Sequence, residues 1–209
     1  MTLDHVLLAL AGPLPGEPSR AAMQPGYRRD PSPETATSPW RKAAVLILLY
    51  ADGGALRFPL MLRPAGNSVH SGQVSLPGGS REGDESFEEC AIRETIEELG
   101  VEPGSIRLVR ALSPLKVPPS RFYVQPFVGL AESRLEFVPE VAEVAALYEP
   151  SLDELLDPGN RRSDLADFGG RSWTIPYYRL AGQRVWGATA MVLAELEAML
   201  RQGDSAIRP

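Results

Sequence analysis

The chain has 209 residues, 44% of them hydrophobic, and a formal net charge of −6. That length suffices for one domain with a sizeable core plus an extension. The composition excludes a disordered chain, and the acidic balance excludes the basic footprint of a general nucleic-acid binder. A single cysteine, Cys90, excludes an internal disulfide and points to a reducing cytoplasm. With only His5 and His70 beside it, a Cys–His zinc site is not expected.

Residues 1–39 carry prolines at 13, 15, 18, 25, 31, 33 and 39. Proline removes a backbone donor and fixes φ, so neither a sheet nor a long helix is expected there. The segment reads as an extension, either a flexible tail or an arm packing on the domain or on a partner subunit; the domain itself is expected over 40–205. Asp4 and the lack of a basic opening region argue against a secretory signal. The longest fully apolar run, 43–51, is too short to cross a bilayer. It reads instead as a buried strand over 42–51, followed by an Asp-Gly-Gly turn and a partner strand over 55–63. A short strand over 71–80 is expected to lead into a Pro-Gly-Gly turn. A helix over 86–99 has Ser86 as N-cap and Gly100 as its stop. Further strands are predicted over 106–112, 122–130, 141–148 and 173–178, a short helix over 152–156, and an amphipathic helix over 188–201. Strands and helices mix without a regular βαβ alternation, so the fold class is α/β or α+β with a mixed sheet.

The helix over 86–99 carries the chemistry. Glu94, Glu97 and Glu98 are three and four residues apart, and 3.6 residues per turn gathers them on one side. The side next to them, with Phe87, Ala91, Ile92, Ile96 and Leu99, is expected to dock on the sheet. Carboxylates at this spacing repel one another and weaken a free helix. A hard divalent cation reverses that sign, because it takes oxygen ligands. A solvated acidic face is the alternative that spacing alone leaves open. Gly78 and Gly79 precede the helix and let the backbone approach a metal or phosphate closely.

Gly79, Glu85, Arg93-Glu94, Glu97-Glu98, Gly100 and Val101 fall at the spacings of the Nudix box, and the chain resembles that family. The one departure is Thr95 at an aliphatic position. The resemblance implies a Nudix fold, a mixed sheet between helices with a loop–helix–loop catalytic element, and hydrolysis of a pyrophosphate linkage in a nucleoside diphosphate derivative. It implies Mg²⁺ or Mn²⁺ held by Glu94, Glu97 and Glu98, with the Gly79 carbonyl as a further ligand, and Glu85 and Arg93 in support. A general base is implied either within the box, at Glu94, or on a later loop, at Glu140 or Glu143; surface charge is the other reading of those two.

The upstream segment with Arg63, Gly72, Pro77, Gly78 and Gly79 is similar to the coenzyme A pyrophosphatase subgroup of that family. Pro64, Ser68 and Leu76 depart from its pattern, and at Ser68 an arginine is usual. The resemblance implies a CoA-like nucleotide as small-molecule partner, with Arg63, His70, Gly72, Lys116 and Arg121 as candidate contacts, and allows a homodimer. Phe122 and Tyr123 are candidates for stacking a base, against a core role. Trp186 reads as packing on the last helix. ADP-ribose, a dinucleotide or a modified nucleoside triphosphate are alternative substrates. A nucleotide-sensing domain without turnover is the alternative of another class, disfavoured by the retained box carboxylates.

Overall fold

A computed structural model describes residues 1–28, 39–66, 70–168 and 170–207. The organising strand is β1 (Arg41–Asp52), which runs parallel to β8 (Phe122–Ala131) in register from Arg41 opposite Phe122 to Leu49 opposite Leu130. A strand covered on both faces needs apolar residues at successive positions rather than at alternate ones. Accordingly Ala44, Leu46, Leu48 and Tyr50 pack on one side of the sheet and Ala43, Ile47 and Leu49 on the other.

Antiparallel neighbours complete the sheet: β2 (Ala55–Arg57) and β5 (Gly78–Ser80) on β1, β6 (Ile106–Ala111) and β7 (Leu115–Val117) on β8. Two three-stranded sheets flank it. One is β3 (Leu60–Leu62) between β4 (Val74–Ser75) and β9 (Ala146–Tyr148); the other is β10 (Arg161–Phe168), β11 (Arg171–Leu180) and β12 (Gln183–Trp186). The first face of the large sheet is covered by α3 (Phe87–Leu99), the second by the long α5 (Gly187–Ile207). On the second side also packs the short α4 (Leu152–Leu156), with Leu152 and Leu155 in the α5-side core and a capping box made by Ser151 and Glu154.

Of the N-terminal extension, residues 1–28 lie against this body. Thr2 caps α1 (Leu3–Ala11), whose Val6, Ala9 and Leu10 are buried in the α5-side core. The two helices approach so closely that a Cβ on Gly203 would stand 2.8 Å from that of Ala9. A short turn, α2 (Glu17–Arg20), brings in Arg20, whose guanidinium donates to the carboxylate of Glu195 and to the carbonyls of Ser113 and Pro114. A nine-residue helix therefore stands where the proline content suggested none of length, because Thr2 to Ala11 is free of proline.

Other elements differ from the sequence reading for identifiable reasons. Pro59 cannot donate to a ladder, and the strand expected over 55–63 is split around Phe58 and Pro59 into β2 and β3, which join different sheets. The expected Pro-Gly-Gly turn is a strand: Gly78 and Gly79 pair with Val45 and Ala44. Only Ala146–Tyr148 of the strand expected over 141–148 is extended, since residues 141–143 form a turn over Glu140. The edge strands β7, β10 and β12, with a mixed polar content, had no prediction.

Candidate active site

Glu89 and Ser86 close a capping box at the start of α3, and Gly100 ends it at φ 64°. The two carbonyls before that glycine are satisfied from outside the helix. Val138 N–H donates to Leu99 O and Glu140 N–H to Glu98 O, both at 2.9 Å. The helix end thus holds the 138–144 loop, and a Cβ on Gly100 would strike Val138 O at 2.4 Å. The same loop turns at Glu140, which accepts from the N–H groups of Glu143 and Val144.

Three carboxylates meet as a result. Oxygens of Glu94, Glu98 and Glu143 lie within 4.8 Å of one another. Glu98 is 1% exposed; its Oε2 accepts from Gly78 N–H at 2.7 Å, and Arg63 Nη2 stands 3.7 Å from Oε1. Burial pushes its carboxyl up to about 8, against the lowering pull of the Gly78 amide and Arg63. Glu94, half-buried, is raised by the same desolvation, with Arg93 opposing it. Its carboxyl fills the space beside Gly79, where a Cβ would come within 2.5 Å of it.

Arg93 organises the other side of the helix. It donates to both oxygens of Glu85 at 3.0 and 2.9 Å, to Glu94 at 3.1 Å, to Glu97 at 2.7 Å and to Ser80 O at 3.1 Å. That guanidinium holds Glu85 down at about 2, and Glu85 raises Arg93 in turn. Glu97, its side chain 57% exposed, pairs with Arg93 and is not one of the three carboxylates that meet. Glu140 also stands apart, accepting from Ala142 N–H of its own loop. Of the helix face expected on the sheet, Phe87, Ala91, Ile96 and Leu99 pack in or against the core and Ile92 does not. Cys90, Ala91, Thr95 and Leu99 are buried, while Ile92 is half-exposed and outside the core. Thr95 occupies its aliphatic position by donating its hydroxyl to Ala91 O at 2.7 Å, so no buried polar group is left over. Cys90 contacts Gly79 O at 3.6 Å, and burial pushes its thiol up to about 11, away from thiolate chemistry.

A cavity of about 1450 Å³ lies beside this cluster, with Val192 of α5 in its lining. Gly78, Gly79 and Arg63 stand at the carboxylate end; Trp173 and Trp186 line the wall from the β11–β12 hairpin. Of the predicted substrate contacts, Arg63, His70 and Arg121 line it, and Gly72 and Lys116 do not. Arg63 donates to Gly78 O at 3.1 Å, and His70 pairs with Gln73 at 3.3 Å. Lys116 and Arg121 both stack over Trp40, at 5.0 and 5.4 Å. Phe122 lines the cavity beneath Arg41 at 4.0 Å, whereas Tyr123 turns the other way onto Phe87. Ser68 lies outside the described residues. Sequence reasoning missed Tyr27, Arg28 and Trp173 as lining residues, and nothing local distinguishes them in the sequence.

The three-carboxylate group fits a divalent metal. Its donors are hard oxygens on α3 and on the 138–144 loop tied to its end, and a buried Glu98 whose nearest cation is 3.7 Å away lacks full compensation. No helix among the described residues is long and apolar enough to cross a membrane.

Comparison with known proteins gives the same picture. The NUDIX domain family matches residues 40–168. Nudix hydrolase 15, mitochondrial, of Arabidopsis thaliana is 36% identical over 161 residues, 73% of this chain and 56% of that protein. The chain thus spans little more than half of that plant relative. The uncharacterized Nudix hydrolase NudL of Pectobacterium atrosepticum is 38% identical over 159 residues, 75% of this chain and 81% of the relative. Among solved structures, the Nudix hydrolase RenU of M. Smegmatis superposes with a TM-score of 0.54 at 21% identity, covering 82% of this chain and 89% of that one, and shares the fold. Box spacing, mixed sheet, capped acidic helix and family match coincide, and the chain belongs to the NUDIX family.

Proposed function

We propose that the protein hydrolyses a pyrophosphate linkage in a nucleoside diphosphate derivative, with coenzyme A or acyl-CoA as the leading substrate and 3′,5′-ADP and (acyl-)4′-phosphopantetheine as products. The observation that carries this reading is the convergence of Glu94, Glu98 and Glu143 directly behind Arg63, Gly78 and Gly79, which line one end of a cavity large enough for an extended nucleotide. About 1450 Å³ exceeds the roughly 300–1,000 Å³ usual for small-molecule sites.

Glu94, Glu98 and Glu143 would hold Mg²⁺ or Mn²⁺, with Gly79 O beside them; Glu97 would join through water or after Arg93 releases it. The metal supplies charge neutralisation of the pyrophosphate and a more acidic attacking water. The chain's own groups do the rest. Arg63 holds Glu98 and faces the cavity, where it can donate to a phosphate oxygen. Arg93 fixes Glu94 and Glu85 in place. Glu143, exposed on its loop, either completes that ligand set or, with the metal left to Glu94, Glu98 and Gly79 O, accepts a proton from water; the Glu140 side chain accepts instead from its own turn. The same cavity admits ADP-ribose, a dinucleotide or a modified nucleoside triphosphate, and the serine at position 68 keeps that reading open. A reducing compartment suits the buried free thiol of Cys90.

The test is incubation with CoA, ADP-ribose, NADH and 8-oxo-dGTP, each with Mg²⁺, with Mn²⁺ and with chelator, the products being separated by chromatography. Metal-dependent 3′,5′-ADP from CoA, formed faster than product from the others, is expected. Preferential turnover of another substrate would discard CoA and keep the chemistry. Binding without metal-dependent product in any case would revive the sensing reading.

A further inference from the structure

In a chain of net charge −6, five arginines line one cavity: Arg28, Arg41, Arg63, Arg121 and Arg171. Arg63 belongs to the carboxylate end, paired with Glu98. Arg28 belongs to the N-terminal arm and is half-buried on a 3-10 turn over Gly26–Arg28. Its guanidinium donates to Lys116 O, and Nη1 rests 3.4 Å from Met191 Sδ. Among the described residues no carboxylate lies within ion-pair distance of it. Those contacts engage two of its five N–H groups and leave donors for a ligand. Burial lowers its affinity for its proton, with Tyr27 opposing.

The sheet register sets how far this cation is from the carboxylates. At this end the strands run β5, β1, β8, β7, with Gly79 opposite Ala44, Ala44 opposite Gln125, and Lys116 opposite Tyr123. Three interstrand steps and two residues along the strand separate Gly79 from Lys116, roughly 15 Å. The floor between them is Val45, Val124, Leu115 and Val117, with Trp173 and Trp186 on the wall, a setting suited to a base and its sugar. The arm is not loosely placed. Arg20 ties it to Glu195, and Gly26 lies so close to β11 that a Cβ there would stand 3.2 Å from Thr174 O.

We propose that Arg28 is a specificity-determining residue that takes a phosphomonoester on the substrate's nucleoside, at the end of the cavity away from the carboxylates, so that the N-terminal arm completes the binding site. The span is that of a nucleoside plus the contacts at either end. A planar guanidinium with several free donors suits a phosphate better than a neutral group. The inference rests on the reading of the cavity as a nucleotide site, but not on turnover.

The experiment is calorimetric titration of the full chain, in chelator, with adenosine 3′,5′-bisphosphate and with 5′-AMP. The wild type is expected to bind the bisphosphate at least about tenfold more tightly, as charge-assisted hydrogen bonds allow. Arg28→Gln and Arg28→Met are expected to close that gap, with Arg28→Lys recovering part of it; the methionine variant keeps an apolar stem against Met191 should the glutamine variant not fold. A structural role alone would weaken both ligands equally. Equal affinities in the wild type, or a gap that survives in a folded Arg28 variant, would overturn the proposal. A gap in a protein that turns over none of the panel substrates would leave it standing and defeat the hydrolase reading; turnover without a gap would do the reverse.

Discussion

The two faces of the central sheet both bury carboxylates, and they do so differently. On the α5 face, Glu195 and Glu197 are fully buried and fully paired. Glu195 accepts from the Arg20 guanidinium, from Ser113 N–H at 3.3 Å and from Ser113 Oγ at 2.5 Å. Glu197 accepts from Arg161, from Arg201 and from Tyr178. On the α3 face, Glu98 has one backbone amide and an arginine at 3.7 Å, with two further carboxylates beside it. A buried charge with a complete set of donors serves the fold; one that lacks them is kept at a cost to the fold and offers its lone pairs to something else.

That contrast can be broken by removing one charge from each face. Glu98→Gln should lower turnover on the order of a thousandfold, the scale of several kcal/mol of lost metal-assisted stabilisation. Its amide oxygen can still accept from Gly78 N–H, so the metal-free melting temperature should stay level or rise. A large loss of melting temperature in this variant would place Glu98 with the structural carboxylates. Glu195→Ala should do the opposite. It strands the Arg20 guanidinium in the interior, which costs about 3–5 kcal/mol, and the turnover of whatever remains folded at low temperature should hold. Thermal unfolding and specific activity, measured on both variants, decide the matter.

Gly79→Ala sharpens the comparison at a smaller scale. The new Cβ would meet the Glu94 carboxyl, which is the end of a flexible side chain and can move. The expected result is metal affinity weakened by about 10–100-fold, the range seen when a ligand's support is disturbed, with little change in stability. Gly78→Ala is the control, because its Cβ would strike Ala44 O at 2.2 Å and no side-chain movement relieves that. It should unfold the sheet edge rather than tune the site. Equal metal affinity in Gly79→Ala and wild type would remove Glu94 from the ligand set.

The carboxylates of the α3 face were legible in the sequence; on the α5 face the helix was legible and its ion pairs were not. Ser86, Gly100 and the glutamates between them form a local pattern, in which caps, spacing and apolar face lie within fifteen consecutive residues. Glu143 needed only the recognition that a later loop reaches back to that helix end. Arg20 with Glu195, and Arg28 with Lys116, are pairs distant in the chain, and no short-range periodicity encodes them. Glu195 and Glu197 sit in a run with apolar residues on every side of the helix, a sign that the helix is enclosed and its charges must be paired. Thr95 shows a further limit: its departure from the box pattern is absorbed by a hydrogen bond back to Ala91, which volume alone does not reveal.

The smallest expected effect comes from the proton that can stand in for the metal. The Glu98 carboxyl has an ordinary value of 4.5 when unfolded and is held at about 8 by burial. A raised carboxyl favours the folded state when protonated, so its contribution is full below pH 4.5 and is lost as the pH rises toward 8. Glu94 shifts in the same direction. Glu85 shifts the other way, down to about 2, so its contribution is lost only as the pH falls through that value, well below the window. The metal-free protein should therefore melt several degrees lower at pH 8 than at pH 5, and Glu98→Gln should flatten that slope. Because a cation must displace the proton, Mg²⁺ should raise the melting temperature more at pH 8 than at pH 5. A slope that persists unchanged in Glu98→Gln would mean that the under-compensated charge lies elsewhere in the molecule.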